Sequence, residues 1–522
     1  MATQQERAEL HRTIWKIAND LRGSVDGWEF KAYVLGSIFY RYISENITNY
    51  LNTLQEQADD DGFDYATLTD EEAEEAREMV VEEKGYFILP SQLFCNVVQE
   101  CKNGNVDKLN ERLSNIFKAI EESAQGHLSE KDLKGLFSDF TVESSSLGKT
   151  VTKRNELLAK VLTTVDTMKL ADDIEGNSID AFGDAYEFLM QMYAAHAGKS
   201  GGEYFTPQQV SELLARIASW HNEGIRSVYD PACGSGSLLL KFAKTIGKNN
   251  DHLMYYGQEI NPSTYNLCRI NMFLHGINFS NFDIALGDTL TSPQHRDCEP
   301  FDAIVSNPPY SISWKGDDDT VLAGDDRFTP AGVLAPKSKA DLAFTMHMLK
   351  SLSESGTAAI VEFPGVLYRG GAEMKIRRYL IYNNYVDTVV QLPANLFFGV
   401  GIATCIIVLK KSAKRDASVL FIDASKLFHK AGNKNVLGAE HQDRIMELYQ
   451  NRRDEQYLAR LVTNDVILSN DCNLSVSSYV EQEDTRERID IKEVNSKLDK
   501  LIREGYKLDA EIEGLIMTEF GE

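Results

Sequence analysis

The sequence predicts an α/β protein in which a parallel, doubly wound sheet follows an α-helical N-terminal domain and precedes a helical C-terminal tail. Between residues 228 and 409, short runs rich in β-branched residues recur, and most are separated by stretches of helical length. Strands that alternate with helices form parallel sheets covered by helices on both faces. Both ends of the chain show helical periodicity instead.

Residues 1–170 are predicted to form the helical domain because their apolar side chains recur every three or four positions, as from Leu10 to Leu21 and from Phe30 to Ile43. Within this domain, residues 58–83 carry 12 acidic side chains and one base, Arg77. Such a run is typical of a solvated loop and an exposed helix. A surface that docks a partner or mimics DNA is the alternative.

Residues 171–411 are predicted to form the α/β domain, and residues 412–484 its C-terminal extension, with a strand at Ser418–Ile422 and a charged helix around Glu440–Leu461. Ligands of doubly wound sheets bind beyond the carboxyl ends of the strands. The predicted strands of the α/β domain are Val228–Asp230, Tyr255–Glu259, Ile284–Leu286, Ala303–Ser306, Ala358–Phe363, Val386–Gln391 and Cys405–Leu409.

Residues 485–522 are predicted to form a helical tail with one apolar seam. Alternating spacings of three and four residues favour a coiled coil or a helical hairpin, and a helix packed on its own domain is the alternative. The seam consists of Ile491, Val494, Leu498, Leu501, Leu508, Ile512 and Leu515.

The charge is unevenly distributed along the chain. The 54 basic and 79 acidic residues give a net charge of −25, which argues against a protein that grips nucleic acid through its overall charge. Residues 1–197 account for −17 and residues 198–411 for only −2. The middle third is therefore the part that can lie against a polyanion. Scattered cysteines, with no secretory signal or membrane-spanning run, predict a cytoplasmic protein without a membrane partner.

Three motifs follow predicted strands. The segment DPACGSG (230–236) places glycines at a strand-to-helix turn, where backbone amides can approach a ligand; it matches neither a Walker loop nor the dinucleotide GxGxxG pattern. Glu259 ends the next strand, where a carboxylate can accept hydrogen bonds from both ribose hydroxyls of a nucleoside. Asp288 follows the third strand, where it can face an adenine amine or simply form a turn.

The third motif, Asn307-Pro308-Pro309-Tyr310, follows the fourth strand. The Asn307 amide oxygen and the Pro308 carbonyl can accept both hydrogens of one exocyclic amine, which draws the amine lone pair out of conjugation with its ring. Tyr310 offers a ring face on which a flipped base can stack. The arrangement would make this amine nucleophilic, and we expect it to do so without a metal or a covalent intermediate. The ten histidines form no HxxxH or HxH pair, which also argues against a metal site.

The order of these motifs resembles that of the amino-methylating DNA methyltransferases and, more closely, that of the modification subunits (HsdM) of type I restriction–modification enzymes. The resemblance covers nearly the whole chain. It is carried by GEYFTP (202–207), DPACGSG (230–236), GQE (257–259), GDTL (287–290), NPPY (307–310), DLAF (341–344) and PANLFFGVGIATCIIVLKK (393–411).

The resemblance implies a Rossmann-like, S-adenosylmethionine-dependent methyltransferase sheet and a role for each motif residue. Asn307, Pro308, Pro309 and Tyr310 would be catalytic, and Phe397 or Phe398 would pack on the target base. The implied cofactor-binding residues are Glu203, Tyr204, Phe205, Thr206, Pro207, Gln208, Asp230, Gly234, Ser235, Gly236, Ser237, Glu259 and Asp288.

The resemblance further implies methyl transfer to the N6 amine of a flipped-out adenine in DNA. A separate specificity subunit would choose the site, and a second modification subunit and a restriction/translocase subunit would complete the complex. Asn307 together with Tyr310 favours adenine N6 over cytosine N4. An N4-cytosine methyltransferase and a catalytically silent assembly scaffold are the alternatives.

Two further segments have functional and structural interpretations. The basic residues of segment 369–378 can contact DNA phosphates or form a solvated helix face. The loop 314–339, rich in aspartate with interspersed glycine and proline, is expected to be mobile, either closing over a flipped base or remaining disordered.

Overall fold

The computed structural model describes most of the chain. The described residues are 12–13, 27–57, 62–168, 206–222, 224–246, 252–397, 401–412, 414, 416–432, 434–483 and 490–521. They divide into two compact units, residues 1–480 and 481–522. No helix within these ranges is long and apolar enough to cross a membrane.

The N-terminal part of the first unit is helical, as predicted. Its aromatic core includes Phe117, whose ring stacks on Phe137 at 4.2 Å. The acidic segment contains short exposed helices with an apolar underside at Val80 and Val81. The main helices of this part are Gly27–Glu56, Arg77–Lys84, Phe94–Lys102, Leu109–Ser123 and Val151–Asp166.

A buried guanidinium joins this helical part to the α/β part. Arg269, on helix Pro262–Leu274, donates hydrogen bonds of 3.0–3.1 Å to the carbonyl oxygens of Lys131, Asp132 and Lys134. These carbonyls belong to a short helix and its end, where backbone acceptors lack helical partners. The two parts therefore share one continuous core.

The α/β part is built on a nine-stranded sheet with the order β11-β8-β6-β7-β5-β4-β1-β2-β3. Every predicted strand is present, although the strand predicted at Ala358–Phe363 begins earlier, at Leu352. The strands are β1 Ser227–Asp230, β2 Met254–Glu259, β3 Phe282–Leu286, β4 Phe301–Ser306, β5 Leu352–Glu362, β6 Val386–Gln391, β7 Cys405–Lys410, β8 Ser418–Asp423 and β11 Ala459–Thr463, with β9 His429–Ala431 and β10 Lys434–Val436 in a separate hairpin.

The sheet is mixed, which corrects the prediction of a wholly parallel one. Strand β7 runs antiparallel to both β5 and β6. Residues 392–404 join β6 to β7, and the two strands pair antiparallel with each other, as in a hairpin. The predicted helix at Glu440–Leu461 also ends early, at Asn451, and its last residues belong to β11, which pairs antiparallel with β8.

Helices cover both faces of the sheet, and the sheet separates two apolar cores. Helix Gln208–Ser219 has a buried apolar stripe that contributes to the first core. Helix Asp341–Ser351 is buried along nearly its whole length in the second. The other long helices of the α/β part are Ser237–Ile246, Pro262–Leu274, Ala372–Tyr382 and Ala439–Asn451.

The second unit contains one long helix, Ile491–Phe520. It begins at Asp490, whose side chain accepts hydrogen bonds from the amides of Lys492 and Glu493. The predicted seam residues all lie on this helix, and their side chains are 48–70% exposed.

Candidate functional site

The predicted glycine loop and catalytic tetrapeptide lie side by side. Strand β1 lies between β4 and β2, so the order of strands reverses at the gap between β1 and β4. In doubly wound sheets this reversal opens a crevice beyond the carboxyl ends of the strands. Segment 230–236 follows β1 and segment 307–310 follows β4, which places both at this crevice.

A buried hydrogen bond ties the two segments together. The hydroxyl of Ser306, the last residue of β4, donates to Asp230 Oδ1 at 2.7 Å, and the amide of Ala232 donates to the same oxygen at 3.1 Å. Burial raises the pKa of Asp230 to about 7 despite these bonds. Its Oδ2 is buried and has no hydrogen-bond partner among the described residues, so a ligand donor at this edge would satisfy it.

The glycine loop has a conformation that requires its glycines. Gly234 and Gly236 have φ angles of +55° and +79°, which other residues rarely adopt. A Cβ atom on Gly236 would lie 2.8 Å from Cys268 Sγ, while one on Gly234 would meet no atom within 4 Å. The protein interior thus leaves no room for a side chain at Gly236, and the loop backbone can face the crevice.

Glu259 contacts the glycine loop directly. Its Oε2 accepts the amide hydrogen of Gly234 at 3.1 Å, and its Oε1 accepts that of Asn261 at 2.8 Å. Burial raises the pKa of Glu259, and these backbone bonds oppose the shift. A carboxylate has about four acceptor sites, so two remain for ribose hydroxyls.

Asp288 forms its own turn in this structure. Its Oδ1 accepts the amide hydrogen of Leu290 at 2.9 Å, and its Oδ2 accepts the hydroxyl hydrogen of Thr291 at 2.8 Å. The carboxylate is therefore fixed in direction at the end of β3. Its contact with an adenine amine stays a prediction.

The Asn307 side chain is held from both ends. Its Nδ2 donates to Thr206 Oγ1 at 3.1 Å, and its Oδ1 accepts the Tyr310 hydroxyl at 2.5 Å. The amide is thereby oriented with its oxygen, the expected amine acceptor, toward the tyrosine. The Tyr310 ring lies 6.5 Å from that of Phe363. Burial, with the nearby Glu362 charge, raises the pKa of Tyr310, so its hydroxyl stays protonated.

The remaining predicted cofactor residues are only partly described. Thr206 is buried, Pro207 precedes helix Gln208–Ser219, and the side-chain amide atoms of Gln208 have no hydrogen-bond partner among the described residues. The carbonyl of Ser235 accepts a hydrogen bond from Asn271, and Ser237 begins the helix after the glycine loop. Glu203, Tyr204 and Phe205 lie outside the described residues.

The two candidate residues for target-base packing differ in how far they are described. Phe397 is 1% exposed and packs in the first core, and its carbonyl accepts a hydrogen bond from Lys434 Nζ at 2.7 Å. Phe398 lies outside the described residues. Pro308 is buried and Pro309 half-buried beside Asn307. The base-packing role of either phenylalanine stays a prediction.

Comparison with known protein families shows which family this chain belongs to. The N-6 DNA methylase profile matches residues 177–488, and the HsdM N-terminal domain profile matches residues 10–165. The type I restriction enzyme MpnII methylase subunit of Mycoplasma pneumoniae is 48% identical over 525 residues, which cover 98% of this chain and 96% of the relative. The chain belongs to the N-6 DNA methylase family.

Solved structures agree with this assignment. The type I restriction–modification methyltransferase subunit from Streptococcus thermophilus matches this methylase with a TM-score of 0.82 and 34% identity, covering 91% of the methylase and all of that chain. A modification subunit from Vibrio vulnificus has the same fold at 18% identity, with a TM-score of 0.59. The predicted family, the Rossmann-like methyltransferase fold and the activity, adenine-specific DNA methylation, are confirmed.

Two buried carboxyl groups of the methylase lie near segment 307–310, and no role was predicted for them. Asp341 Oδ1 accepts the amide hydrogen of Ser311 at 3.0 Å, and Glu362 Oε1 accepts the hydroxyl hydrogen of Thr345 at 2.8 Å. Both carboxyls retain a buried oxygen without a hydrogen-bond partner among the described residues. The DLAF motif contained the only sequence signal, since it includes Asp341. Burial, with the charge of Asp341, raises the pKa of Glu362 to about 8.

The raised pKa of Glu362 makes the methylase less stable as pH rises. The folded state retains a proton that the unfolded chain releases near pH 4.5, so the free energy of unfolding falls between about pH 4.5 and 8 and is flat above. We expect Glu362→Gln to leave the unfolding midpoint nearly unchanged at pH 5 and to raise it by about 3 °C relative to wild type at pH 9. Calorimetry at both pH values measures this.

Glu354 supplies the matched control, because it lies on the same strand β5 with an exposed side chain. Glu354→Gln should shift the midpoint equally at pH 5 and pH 9. A Glu362→Gln effect that does not depend on pH would contradict a protonated, buried Glu362.

One prediction for an exposed segment of the methylase is corrected in part, and a second stays a prediction. Arg377 is 1% exposed and donates to the carbonyls of Cys472 and Val366, so it cannot reach a phosphate; Lys375 and Arg378 are exposed and keep that prediction. The mobility of the loop 314–339 stays a prediction. The Trp314 amide donates to the Lys337 carbonyl at 2.9 Å, which closes the base of this loop.

A cluster of three side chains at the surface of the methylase consists of residue types that commonly bind metal ions. His429, Glu440 and His441 have ligand atoms within 4.8 Å of one another. The Nδ1 atom of His441 already accepts the amide hydrogen of Gly438 at 3.0 Å, and Glu440 is exposed. The group lies on the hairpin of β9 and β10 and on helix Ala439–Asn451, outside the crevice between β1 and β4.

Proposed function

We propose that this methylase transfers the methyl group of S-adenosylmethionine to the N6 amine of a flipped-out adenine, in a DNA site chosen by a separate specificity subunit. We propose further that it works in the cytoplasm, with a second modification subunit and a restriction/translocase subunit in the full complex. These tasks would be divided among four domains, with the predicted bounds 1–170, 171–411, 412–484 and 485–522.

One observation supports the proposal above all others. The Asn307 amide is oriented by Thr206 and Tyr310, and the Asp230–Ser306 bond holds its loop beside the glycine loop. A methyl donor bound at the glycine loop and an amine bound at Asn307 would then lie within one crevice. Such fixed alignment is the main contribution a protein can make to a transfer between two small groups.

The residues of the crevice suit a cofactor with a positively charged sulfonium and a nucleoside. The unpaired Oδ2 of Asp230, the positive φ angles of the glycine loop and the two remaining acceptor sites of Glu259 fit such a group. S-adenosylmethionine, when bound, supplies a methyl group that is already activated for transfer. The protein then has to align the acceptor and raise its nucleophilicity.

The tetrapeptide would perform that second task. Asn307 Oδ1 and the Pro308 carbonyl accept the two amine hydrogens, so the nitrogen lone pair turns away from the ring and toward the crevice. The Tyr310 hydroxyl donates to Asn307 Oδ1 in this structure, and the second lone pair of that amide oxygen remains for an amine hydrogen. The Tyr310 ring can then stack on the base.

The proposal assigns partner docking to the helix Ile491–Phe520. Its seam residues are at least 48% exposed, and an unpaired seam of this kind favours pairing with another helix. We expect deletion of residues 485–522 to abolish co-elution with the specificity subunit in gel filtration. The dissociation constant for S-adenosylmethionine should change by less than about two-fold, because the deletion leaves the crevice intact.

A finer variant pair separates the seam from the charge of the helix. Leu498→Glu should weaken assembly, while Lys500→Glu, on the same exposed helix but outside the seam, should not. Normal assembly of the deleted chain would show that docking lies elsewhere.

Labelled methyl transfer tests the whole proposal. With tritiated S-adenosylmethionine, we expect incorporation into DNA only when the specificity subunit is added. Full sequence-specific activity of this chain alone would refute the role of a separate subunit. A chain that binds no S-adenosylmethionine would refute the assignment of the crevice.

A further inference from the structure

Arg327 is a buried cation that the catalytic account does not use. It lies on the loop between the tetrapeptide and helix Asp341–Ser351, and it is 2% exposed. A buried guanidinium is costly unless its donors and its charge are satisfied. Its surroundings therefore show which parts of the fold it holds together.

All five N–H donors of the Arg327 guanidinium have acceptors. Its Nε donates to Asp325 Oδ1 at 3.0 Å, and one Nη2 hydrogen donates to Asp325 Oδ2 at 2.7 Å. The other Nη2 hydrogen reaches the Leu290 carbonyl at 2.7 Å. The Nη1 hydrogens reach the Thr289 carbonyl at 2.9 Å and His347 Nδ1 at 3.2 Å. Complete use of the planar fork is a geometry that lysine cannot reproduce.

The two backbone acceptors are the residues directly after Asp288. Arg327 therefore forms hydrogen bonds to the turn that contains Asp288, the proposed adenine-binding carboxylate. The same turn is tied to the glycine segment, because the Thr289 hydroxyl donates to the Pro231 carbonyl at 2.6 Å. One guanidinium thus stabilises the turn after β3 and, through it, the turn after β1.

The charge of Arg327 is balanced locally. Burial would raise the pKa of Asp325, but hydrogen bonds from Arg327 outweigh it and hold that pKa below its ordinary value. Arg296 lies 3.6 Å from Asp325 on the solvent side. The carboxylate is therefore ionised at neutral pH and faces the guanidinium as a bidentate partner.

His347 extends the network as a neutral side chain. Burial and the charge of Arg327 lower its pKa to about 3. Because a guanidinium only donates, His347 Nδ1 is the acceptor and its Nε2 carries the hydrogen. That hydrogen points to the Tyr229 hydroxyl, 3.0 Å away, on the residue before Asp230. The network thus contacts the end of β1 and the turn after β3, two of the three strands that carry the proposed cofactor site.

We propose that Arg327 is a positioning residue for the cofactor, which it serves by fixing the Asp288 turn from a loop outside the crevice. The inference rests on the proposed function, since it assigns the turn to the adenine end of S-adenosylmethionine. It also gives the 314–339 loop a role in the DNA-free protein, because the loop supplies the anchor of the cofactor site.

Titration calorimetry of the full chain with S-adenosylmethionine tests the inference. We expect Arg327→Lys to raise the dissociation constant by about ten-fold or more, because lysine leaves the carbonyls of Thr289 and Leu290 without their fixed donors. The number of binding sites per folded chain should stay the same. Each titration is run at least about 15 °C below the unfolding midpoint of the variant.

Arg296→Lys is the matched control. Arg296 pairs with Asp326 at 2.7 Å on the other side of the same acidic pair, but its side chain is 36% exposed, and its ion pairs among the described residues are with Asp325 and Asp326 rather than with the Asp288 turn. Its substitution should leave the dissociation constant within about two-fold of wild type, as is usual for exposed ion pairs. The probe 5′-methylthioadenosine, which lacks the amino-acid end, should lose affinity for Arg327→Lys by the same factor as S-adenosylmethionine.

The outcomes separate the possible explanations. A purely structural role would lower the number of binding sites and leave the dissociation constant unchanged, which would overturn the inference. If Arg327→Lys does not fold, Asp325→Asn serves instead and should raise the dissociation constant by about three-fold; an unchanged constant overturns the inference. A wild-type chain that binds no S-adenosylmethionine fails at the first titration, and the proposed function and the inference fall together.

Discussion

Asn307→Ala is expected to lower the rate of methyl transfer by about 10²–10³-fold while leaving the dissociation constant for S-adenosylmethionine within about three-fold of wild type. Removal of one preorganised hydrogen-bonding group at a reacting atom typically has an effect of this size. The Asn307 oxygen is oriented by Thr206 and Tyr310 rather than by the glycine loop, so cofactor binding should not need it.

Single-turnover methylation and calorimetry on the same preparations separate the two effects. Asn383→Ala is the control, because Asn383 is an exposed residue at the end of helix Ala372–Tyr382, and it should change neither quantity. Loss of cofactor binding by Asn307→Ala would mean that Asn307 belongs to the cofactor site and not to the target-base site.

Gly236→Ala is expected to weaken S-adenosylmethionine binding by about 100-fold. The new Cβ would lie 2.8 Å from Cys268 Sγ and 3.2 Å from the terminal methyl of Met272, at a φ of +79°. Backbone strain and steric overlap with these two core side chains would then displace the loop backbone toward the crevice, where the cofactor is proposed to bind. Calorimetric titration of the folded variant measures the loss.

Gly234→Ala separates the effect of backbone strain from that of steric overlap. The φ angle of Gly234 is also positive, but a Cβ atom added there would meet no atom within 4 Å. This substitution should weaken binding by no more than about ten-fold, from the strain alone. The double variant Gly236→Ala with Cys268→Ala should recover part of the lost affinity. Equal losses for the two glycines would show that the contact with Cys268 is irrelevant.

The sequence was sufficient to place the strands and the two central motifs. The strands are short β-rich runs, and each motif follows directly after one of them, so local pattern decides their position. Asp230, Glu259 and Asn307 lie at the sheet edge as expected, because parallel strands bring their carboxyl ends to one side.

The antiparallel direction of β7 was missed because it depends on the path of a connection rather than on the strand's own residues. A continuous apolar run reads alike in either direction. The end of the charged helix at Asn451 was also missed, although Arg452 adopts a left-handed conformation there with φ +45°. Neither feature has a strong signal in local composition.

The supporting residues of the site were missed for another reason. Ser306, Asp341 and Arg327 act through partners that are distant in the sequence, such as Asp230, 76 residues from Ser306. Without the fold, Arg327 is one more charge in an acidic loop. The same limit applies to Arg377, which was expected either to contact a DNA phosphate or to lie on a solvated helix face and is instead buried against two carbonyls.

The central claim is that Asn307 and Pro308 hold the amine of an adenine. The most direct test is to incubate the complete complex with DNA and S-adenosylmethionine, digest the DNA to nucleosides and identify the methylated product by mass spectrometry. N6-methyladenine should be the methylated product, and Asn307→Ala should lower the rate of its formation by about 10²–10³-fold. N4-methylcytosine from the wild-type complex, or N6-methyladenine from the Asn307→Ala complex at an undiminished rate, would contradict the account.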